Sequence, residues 1–347
     1  MTRWTPAGNA EIRIGLIGAG AMGRNHARVI RTFENARLVA VADADERAAR
    51  LAAGVGVASY GDPVALLDDE RLHAVIIATP TTTHAALAIA ALARGIAVLV
   101  EKPLAPTVDE AVAILDAARE TGAPVAVGHV ERHNPAVLEL GRRLREGWLS
   151  TVYAVASRRA GPFPARIRDV GVTVDLATHD VDILSWIAGE RPVRVYAETA
   201  QRLHATHEDL LYGTLHFPSG TTGMIDVNWL TPAKRRQLTV VGEEGMFELD
   251  YLTQRLTFTR ADVTQKRLIR GYATTFEGDV AVIDVDPIEP LAAELRDFVD
   301  SVRVGRRPTV AAEDGLWAVA IANALLDSAR TRAPVLLDQV PMALTTR

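Results

Sequence analysis

The amino-acid sequence predicts an α/β protein with two domains. The N-terminal domain is expected to hold a doubly wound parallel sheet, because apolar runs alternate with helix-forming segments as far as Val127. After Trp148, extended runs rich in Val, Thr and Tyr predict a C-terminal α/β domain with an open, mostly antiparallel sheet. We expect the domains to cover residues 1–130 and 131–347, with the helix at 313–330 packing back on the first domain.

The spacing of the apolar residues predicts the individual elements. In the first domain, strands are expected at residues 12–17, 37–42, 74–78, 96–100 and 125–127, and helices at residues 22–33, 45–53, 81–93 and 107–120. In the second domain, strands are expected at residues 152–157, 193–198, 210–217, 221–229 and 237–241, and helices at residues 290–304 and 313–330. Hairpin turns are expected at residues 217–221 and 242–245, which contain glycine.

A glycine turn, GAGAMG at residues 18–23, joins the first strand to the first helix. Its place between a strand and a helix makes the GxGxxG pattern informative. A pyrophosphate would meet bare backbone N–H groups and a helix N-terminus at this turn. The sequence therefore predicts a dinucleotide-binding Rossmann domain with cofactor contacts at Gly18, Gly20, Ala21, Met22 and Gly23.

An acidic residue ends the second predicted strand. Asp43 follows Gly23 by 20 residues, which is the spacing of the carboxylate that binds the adenosine ribose. This carboxylate would accept hydrogen bonds from the ribose 2′-OH and repel a 2′-phosphate, so NAD is expected rather than NADP. Two alternatives remain: Asp43 caps the helix at 45–53, or Arg47 reverses the cofactor preference.

The composition narrows the class of protein. The chain has 347 residues, of which 48% are hydrophobic and 23% charged, and its formal net charge is -5. No basic excess favours nucleic acid as a partner. There is no cysteine to form a disulfide, and Arg94 and Gly95 interrupt the most apolar stretch, residues 85–100, so no membrane span is expected. We expect a cytoplasmic protein.

Polar residues follow three of the predicted parallel strands: Thr79-Pro80, Glu101-Lys102-Pro103 and Gly128-His129. Because ligands collect at the carboxyl ends of such strands, these residues should share one crevice with the glycine turn. Lys102 in that crevice is expected to donate a hydrogen bond to a substrate hydroxyl or to shuttle its proton. The alternative for Lys102 is a solvated surface cation.

A second polar group lies at residues 175–182. Asp175, His179 and Asp182 are spaced i, i+4 and i+7, so one helix would present all three on one face. An acid there can orient the imidazole for general acid–base work. Alternatively, Asp175 caps the helix and His179 is a half-buried polar residue. A metal site that uses His179, Asp180 and Asp182 is a weaker possibility, because the spacing of metal-binding histidine pairs is lacking.

These motifs together resemble the Gfo/Idh/MocA oxidoreductases, the family of glucose–fructose oxidoreductase and inositol dehydrogenase. The resemblance covers nearly the whole chain and rests on the glycine turn with Asp43, Thr79-Pro80 followed by His84, Glu101-Lys102-Pro103, and residues 175–182. It implies hydride transfer between a sugar or cyclitol carbinol carbon and nicotinamide C4. It further implies that Lys102, Asp175 and His179 are catalytic, and that Thr79, Pro80, His84, Glu101 and Lys102 contact the cofactor.

Residues 127–135 and 158–171 more narrowly resemble UDP-N-acetylglucosamine 3-dehydrogenases. Arginine matches phosphate oxygens in bidentate fashion, as a nucleotide sugar requires. Ion pairs with Asp169 or Glu131 are the alternative for any single arginine. The expected substrate contacts are His129, Glu131, Arg132, Asn134, Arg158, Arg166, Arg168, His179 and Trp229.

The sequence thus predicts oxidation of a sugar secondary alcohol, in the first place C3 of UDP-N-acetylglucosamine. His179 would be the base, Lys102 would polarise the hydroxyl, and Asp175 would hold the imidazole, although Lys102 is an alternative carrier of the proton. Other substrates remain open: an inositol, a free hexose or another nucleotide sugar, including ketosugar reduction. A non-catalytic NAD-binding redox sensor is the alternative outside the enzyme class. A homo-oligomer, either dimer or tetramer, is expected, and no metal.

Overall fold

The structure is a computed structural model that describes residues 3–164, 167, 170–261, 267–269, 272–274 and 278–337. The chain divides into two compact units. The first unit comprises Met1–Val130 and Glu289–Ala320, and the second comprises Glu131–Ile288 and Ile321–Arg347.

A parallel sheet forms the centre of the first unit. Its strands are β1 (Ile12–Ile17), β2 (Ala36–Ala42), β3 (Ala58–Tyr60), β4 (Ala74–Ile77), β5 (Ala97–Val100) and β6 (Val125–Val127). The order across the sheet is β3-β2-β1-β4-β5-β6, with every neighbouring pair parallel. The order therefore reverses between β1 and β4, and such a switch point opens a crevice at the carboxyl ends of the strands. The predicted doubly wound parallel sheet is confirmed.

Helices connect and cover these strands. They are α1 (Ala21–Ile30), α2 (Arg47–Val55), α3 (Pro63–Asp69), α4 (His84–Leu92) and α5 (Val108–Thr121). The ends of α5 show why the sequence folds this way. The Thr107 side chain caps its first turn by accepting the N–H of Glu110, and Gly122 ends it at φ 76°. The strand β3 and the helix α3 are additions that the sequence analysis did not predict.

The helix α8 (Pro290–Val304) corrects the expected domain limits. The sequence analysis placed residues 289–320 in the second domain, but they belong to the first unit. The reason is apolar packing: Leu295, Phe298 and Val302 of α8 share one buried core with β1, β2 and α1. The next helix, α9 (Ala312–Thr331), contributes residues as far as Ala320 to the first unit and the remainder to the second.

An open sheet forms the second unit. Its strands are β7 (Val152–Ala160), β8 (Arg194–Ala200), β9 (Leu210–His216), β10 (Thr222–Asn228), β11 (Arg235–Gly242), β12 (Gly245–Asp250), β13 (Arg255–Arg260), β16 (Val280–Ile283) and β17 (Val335–Leu336). The order is β16-β13-β12-β11-β7-β10-β9-β8-β17. The pair β7–β10 is parallel and the other neighbours are antiparallel, which confirms the predicted mostly antiparallel sheet. A separate hairpin pairs β14 (Arg267–Ile269) with β15 (Tyr272–Thr274).

The two faces of this open sheet differ. Helices α6 (Pro135–Arg145) and α7 (Thr178–Ala188) lie against one face, which we call the inner face. The opposite, outer face carries exposed apolar side chains, among them Tyr212 and Met224. Side chains alternate between the two faces along each strand, so neighbouring residues have different surroundings. Every helix that the structure describes is too short or too polar to cross a membrane.

Candidate active site

The glycine turn has the geometry that a dinucleotide requires. Gly18 adopts φ +98°, and a side chain at Gly18 or Gly23 would collide with backbone oxygen atoms. At Gly20, by contrast, an added Cβ would meet open space. No side chain among the described residues caps the N-terminus of α1, so its first N–H groups remain available. The turn therefore fits a pyrophosphate that approaches the backbone at Gly20.

Asp43 faces this turn. Its Oδ2 accepts the N–H of Ala19 at 2.7 Å, and its Oδ1 lies 3.4 Å from Nη2 of Arg47. Arg47 also binds Asp45, with 2.7 Å between Nε and Oδ2. The helix α2 begins at Arg47 with Glu46 as its N-cap, so Asp43 does not cap that helix. The capping alternative is therefore wrong, and ribose binding by Asp43 stays a prediction.

His84 joins two loops at the carboxyl end of the sheet. Its Nδ1 lies 2.8 Å from the carbonyl oxygen of Pro103, and its Nε2 lies 3.0 Å from that of Thr79. Burial lowers the pKa of His84 below its ordinary 6.5, although both carbonyl groups act in the opposite direction. Both ring nitrogens are thus directed at backbone atoms. We assign His84 to positioning these loops, whereas the sequence predicted contact with the cofactor.

A buried carboxylate lies beside Lys102. Glu101 accepts the backbone N–H of Lys102 at 3.3 Å through Oε2, and its Oε1 lies 2.8 Å from Nε2 of His26. Burial raises the pKa of a carboxyl, but the hydrogen bond and charge of His26 outweigh it, so the pKa of Glu101 lies below its ordinary 4.5. Gly128 makes this arrangement possible, because an added Cβ would lie 3.0 Å from Oε2 of Glu101. The sequence analysis predicted Glu101 but missed His26, which lies on the buried side of α1.

The second unit carries the other predicted catalytic residues. Asp175 lies in a π-helical turn, Thr173–Ala177, and His179 lies in the first turn of α7. Both side chains are partly buried. The sequence analysis placed Asp175, His179 and Asp182 on one face on the condition that the segment is helical throughout. The wider π turn changes the register before α7, and such turns are frequent at functional sites.

The two aspartates after His179 are engaged by arginines. Asp182 accepts Nε and Nη2 of Arg132 at 2.7 and 2.9 Å, and Asp180 accepts Nε of Arg159. The expectation that Asp182 lies with Asp175 to balance the imidazole is therefore corrected, because its carboxylate pairs with Arg132. Among the described residues, no group of three His, Asp or Glu side chains could hold a metal ion.

Other expected substrate contacts serve the fold. Asn134 is buried and caps α6, accepting the N–H of Ala136 at 3.1 Å, while its Nδ2 donates to the carbonyl oxygen of Tyr251 at 3.3 Å. Trp229 is buried with its ring centroid 6.0 Å from that of Phe163. Neither side chain is free to face a substrate in this arrangement.

Of the three arginines expected to bind a phosphate near β7, the structure describes one. Arg158 lies on the outer face of the sheet, where its Nε contacts Oδ2 of Asp226 at 3.0 Å. Its neighbour Arg159 lies on the inner face and pairs with Glu131, which is the internal ion pair that the sequence analysis gave as the alternative. The sequence did not decide which face of β7 covers the core. Arg166 and Arg168 lie outside the described residues.

The two remaining predicted contacts have different surroundings. His129 directly follows β6 in the first unit and is buried. Glu131 lies in the second unit, partly exposed, with its Oε1 3.0 Å from Nη1 of Arg159. Their role toward a substrate stays a prediction.

Comparisons with known proteins agree with this architecture. Residues 12–129 match a Gfo/Idh/MocA family described as "Oxidoreductase family, NAD-binding Rossmann fold", and residues 137–248 match a Gfo/Idh/MocA C-terminal domain. Inositol 2-dehydrogenase 2 from Saccharopolyspora erythraea is 30% identical over 344 residues, which are 95% of this chain and 96% of that protein. The scyllo-inositol 2-dehydrogenase (NAD(+)) from Bacillus subtilis is 28% identical over 344 residues, 94% of this chain and 97% of that protein.

A nucleotide-sugar enzyme is also similar. UDP-N-acetylglucosamine 3-dehydrogenase from Acidithiobacillus ferrooxidans is 29% identical over 297 residues, 85% of this chain and 90% of that protein. A solved structure of that enzyme matches with a TM-score of 0.82 and 27% identity over 92% of this chain and 98% of the other. Both halves of this chain, together with whole-length relatives, show that it belongs to the Gfo/Idh/MocA family of NAD-binding oxidoreductases.

Proposed function

We propose that the protein oxidises a secondary hydroxyl of a sugar or cyclitol with NAD+. The observation that carries this proposal is the set of side chains that each unit holds by itself. The first unit holds the glycine turn and Lys102, braced by the buried Glu101, and the second holds Asp175 and His179 at the start of α7. Family membership supports the same reaction, because the named relatives are dehydrogenases of such alcohols.

The three side chains have distinct proposed tasks. His179 takes the hydroxyl proton, because imidazole suits proton transfer near neutral pH. The Lys102 ammonium donates to the same oxygen and stabilises the negative charge that develops on it. Asp175 holds the imidazole in orientation. When bound, NAD+ supplies the hydride acceptor.

The assignment of the proton to His179 is tested with two variants. We expect His179→Asn to lose the pH dependence of kcat that deprotonation of a base produces, and Lys102→Met to lower kcat while retaining that dependence. Full activity in either variant would remove that residue from the mechanism. The opposite pattern would make Lys102 the base.

We propose NAD+ as the preferred cofactor. Asp43 faces the glycine turn, and Arg47, a neighbouring cation able to attract a 2′-phosphate, is already engaged by two carboxylates. Direct binding tests this choice without any substrate. A lower Kd for NADP+ than for NAD+ would reverse it.

For the substrate, UDP-N-acetylglucosamine oxidised at C3 is the first candidate. It is supported by the resemblance at residues 127–135 and 158–171 and by the similar enzyme from Acidithiobacillus ferrooxidans. An inositol is the second candidate. One observation favours it: Arg158 lies on the outer face and Arg159 is bound by two carboxylates, so neither serves as a phosphate clamp.

One assay separates these candidates. The protein is incubated with NAD+ and either UDP-N-acetylglucosamine, myo-inositol, scyllo-inositol or glucose, and NADH absorbance is followed. Calorimetric binding of UDP gives a second readout for the first candidate. No turnover of any polyol despite tight NAD+ binding would instead support a redox sensor.

We also propose a homo-oligomer that is assembled through the outer face of the open sheet. Tyr212 and Met224 are exposed there on the neighbouring strands β9 and β10, and apolar side chains grouped on one sheet face suit a subunit contact.

A further inference from the structure

Five buried or partly buried charged residues of the second unit form a closed set of ion pairs, which we call the ion-pair ring. Arg159 contacts Asp180 at 3.1 Å and Glu131 at 3.0 Å, and Arg132 contacts Asp182 at 2.7 Å. The backbone closes the ring twice, because Glu131 adjoins Arg132, and one residue separates Asp180 from Asp182. The ring therefore ties together the turn before α6, the strand β7 and the helix α7.

The ring is more than a packing feature. The side chains of Arg132, Arg159, Asp180 and Asp182 are only 5%, 5%, 1% and 1% exposed. Well-packed apolar residues would stabilise a buried site at least as well as such ion pairs do, so stability alone does not explain them. What ion pairs add is direction, because a bidentate guanidinium fixes its partner in both distance and angle. Asp182, three residues after His179, is held in this way, and Asp180, the next residue after His179, shares the Nε of Arg159 between its two oxygens.

We propose that the ion-pair ring positions His179, with Arg159 and Asp180 as its principal positioning residues. This inference rests on the proposed role of His179 as the base. The π turn ends at Ala177 and α7 begins at Thr178, so the turn sets the register in which α7 presents His179. The ion pairs of Asp180 and Asp182 fix that start of α7 to β7 and to the turn before α6.

The charges of the ring have a second effect. Three carboxylates face two guanidinium groups, and Arg236, the β11 partner of Arg159 in the sheet, adds a third cation. Burial and the charge of Arg159 lower the pKa of Arg236 to about 10, while Asp180, Glu131 and Asp175 act in the opposite direction. The cluster is therefore close to neutral when all its members are ionised.

Because the cluster is nearly neutral, removing a carboxylate and removing a guanidinium change its net charge in opposite directions. Among the described residues, the charged and titratable groups of the second unit around the start of α7 include Glu131, Arg132, Arg159, Asp175, Asp180, Asp182, Glu208, Arg236 and Tyr251. Removing a carboxylate leaves excess positive charge, which disfavours the imidazolium form of a nearby histidine. Removing a guanidinium leaves excess negative charge, which favours it.

The experiment compares Asp180→Asn with Arg159→Gln. Both variants should lower kcat about tenfold or more, since a small misplacement of a catalytic group is costly. In a plot of kcat against pH, the acidic limb should move to lower pH in Asp180→Asn and to higher pH in Arg159→Gln, each by about 0.5–1 pH unit. The Kd for NAD+ should stay unchanged. Arg159→Lys keeps the charge, so it should keep the wild-type limb and recover part of kcat.

Matched controls come from a surface ion pair of the same unit. Glu139 and Arg142 on α6 contact one another at 2.7 Å, and Glu139→Gln and Arg142→Gln each remove one charge without touching the ring. These variants should show wild-type kcat and an unmoved limb. Wild-type kcat in both ring variants would overturn the proposal, and so would limbs that move in the same direction or not at all.

A second measurement keeps this test separate from the proposed function. The titration of His179 is followed by NMR, with its signal assigned by comparison with His179→Asn, and no substrate is needed. Opposite shifts of the His179 titration in Asp180→Asn and Arg159→Gln would support the proposed positioning role of the ion-pair ring, even if no tested substrate is turned over. Should Asp180→Asn or Arg159→Gln fail to fold, Asp180→Glu and Arg159→Lys take their place, with lowered kcat and an unmoved limb as the expected result.

Discussion

At the scale of single residues, His84 shows how a titratable side chain can serve geometry rather than chemistry. Its ring lies between the carbonyl groups of Thr79 and Pro103. A neutral imidazole has one N–H, so it donates to one of these two acceptors at a time. Pro103 directly follows Lys102, and the ring thereby couples the Thr79 loop to the backbone of the proposed catalytic lysine.

Replacing His84 with Ala leaves two buried carbonyl groups without this partner. We expect the free energy of unfolding to fall by about 2–4 kcal/mol and kcat to fall with it. His84→Asn retains one donor and should recover part of both losses. Chemical denaturation and steady-state kinetics measure the two effects, and an alanine variant with wild-type stability would contradict the positioning role.

The depressed pKa of His84 adds a pH dependence. The folded protein binds a proton at this ring less readily than the unfolded chain does, so stability is lost as pH falls below 6.5 toward the folded-state pKa. The His84→Asn variant should lack this contribution to the loss of stability at low pH. Chemical denaturation at several pH values between about 5 and 8 tests whether the stability of the wild type falls more than that of the variant as pH is lowered.

Asp43 is the residue on which cofactor choice should depend. Asp43→Ala removes the acceptor for the ribose 2′-OH and frees Arg47 from one of its two carboxylates. We expect the ratio of Kd for NADP+ to Kd for NAD+ to fall at least about tenfold, equivalent to about 1.4 kcal/mol. Fluorescence titration with both cofactors measures it. Asp116→Asn, an exposed carboxylate on α5, is the control and should leave the ratio unchanged.

At the scale of elements, α8 carries a buried acid. Glu294 is only 3% exposed, and neither of its carboxyl oxygens has a hydrogen-bond partner among the described residues. Burial, with the charges of Glu101 and Asp297, raises the pKa of Glu294 well above its ordinary 4.5. Burial therefore disfavours the ionised form of Glu294 in the folded state, and this costs free energy as pH rises above 4.5.

Glu294→Gln should consequently stabilise the protein. A carboxyl with a raised folded-state pKa contributes its full stability below 4.5 and loses it as pH rises through the folded-state value. The gain in the variant should thus be small at pH 4.5 and reach about 1–3 kcal/mol at neutral pH. Thermal unfolding across this range provides the measurement. Asp300→Asn, an exposed site on the same helix, should show no such trend.

The sequence predicts the parts of the site that depend on one element and its flanking turn, and it misses the parts that depend on distant elements. The glycine turn, Asp43 and Lys102 follow from local patterns, because a strand-to-helix turn and its spacing are written in consecutive residues. The partners of Glu101 and Asp182 are not local: His26 lies 75 residues from Glu101, and Arg132 lies 50 residues from Asp182. The π turn at Thr173–Ala177 has no sequence signal either, since its residues also suit a regular α-helix.

At the scale of the whole molecule, the open sheet leaves its outer face as the main apolar surface of the second unit. Tyr212 on β9 and Met224 on β10 are 53% and 59% exposed. In the antiparallel pairing of these strands, Tyr212 lies opposite Asp226 and Met224 lies opposite Thr214. Small and apolar side chains at Ala154 and Ala156 continue this surface on β7. A surface of this kind is flat enough for a second copy to cover.

Charge on this surface should prevent assembly. Met224→Lys is expected to lower the oligomeric state without loss of folding, because it adds an unpaired cation to the centre of the contact. Analytical ultracentrifugation measures the mass. Leu138→Lys, an exposed apolar position on α6, serves as the control and should assemble as the wild type does. An unchanged mass for Met224→Lys would place the subunit contact elsewhere.

The return of α8 to the first unit has a consequence for how the chain is made. The strands β1 to β6 leave the ribosome early. Leu295, Phe298 and Val302, which complete their hydrophobic core, are translated much later, and Leu295 follows Val127 at the end of β6 by 168 residues. Part of the apolar surface of the nascent N-terminal segment therefore stays uncovered while every strand of the second sheet except β17 is synthesised. Such a segment is a natural client for chaperones, and a fragment that stops at Val130 should aggregate unless α8 is supplied in trans.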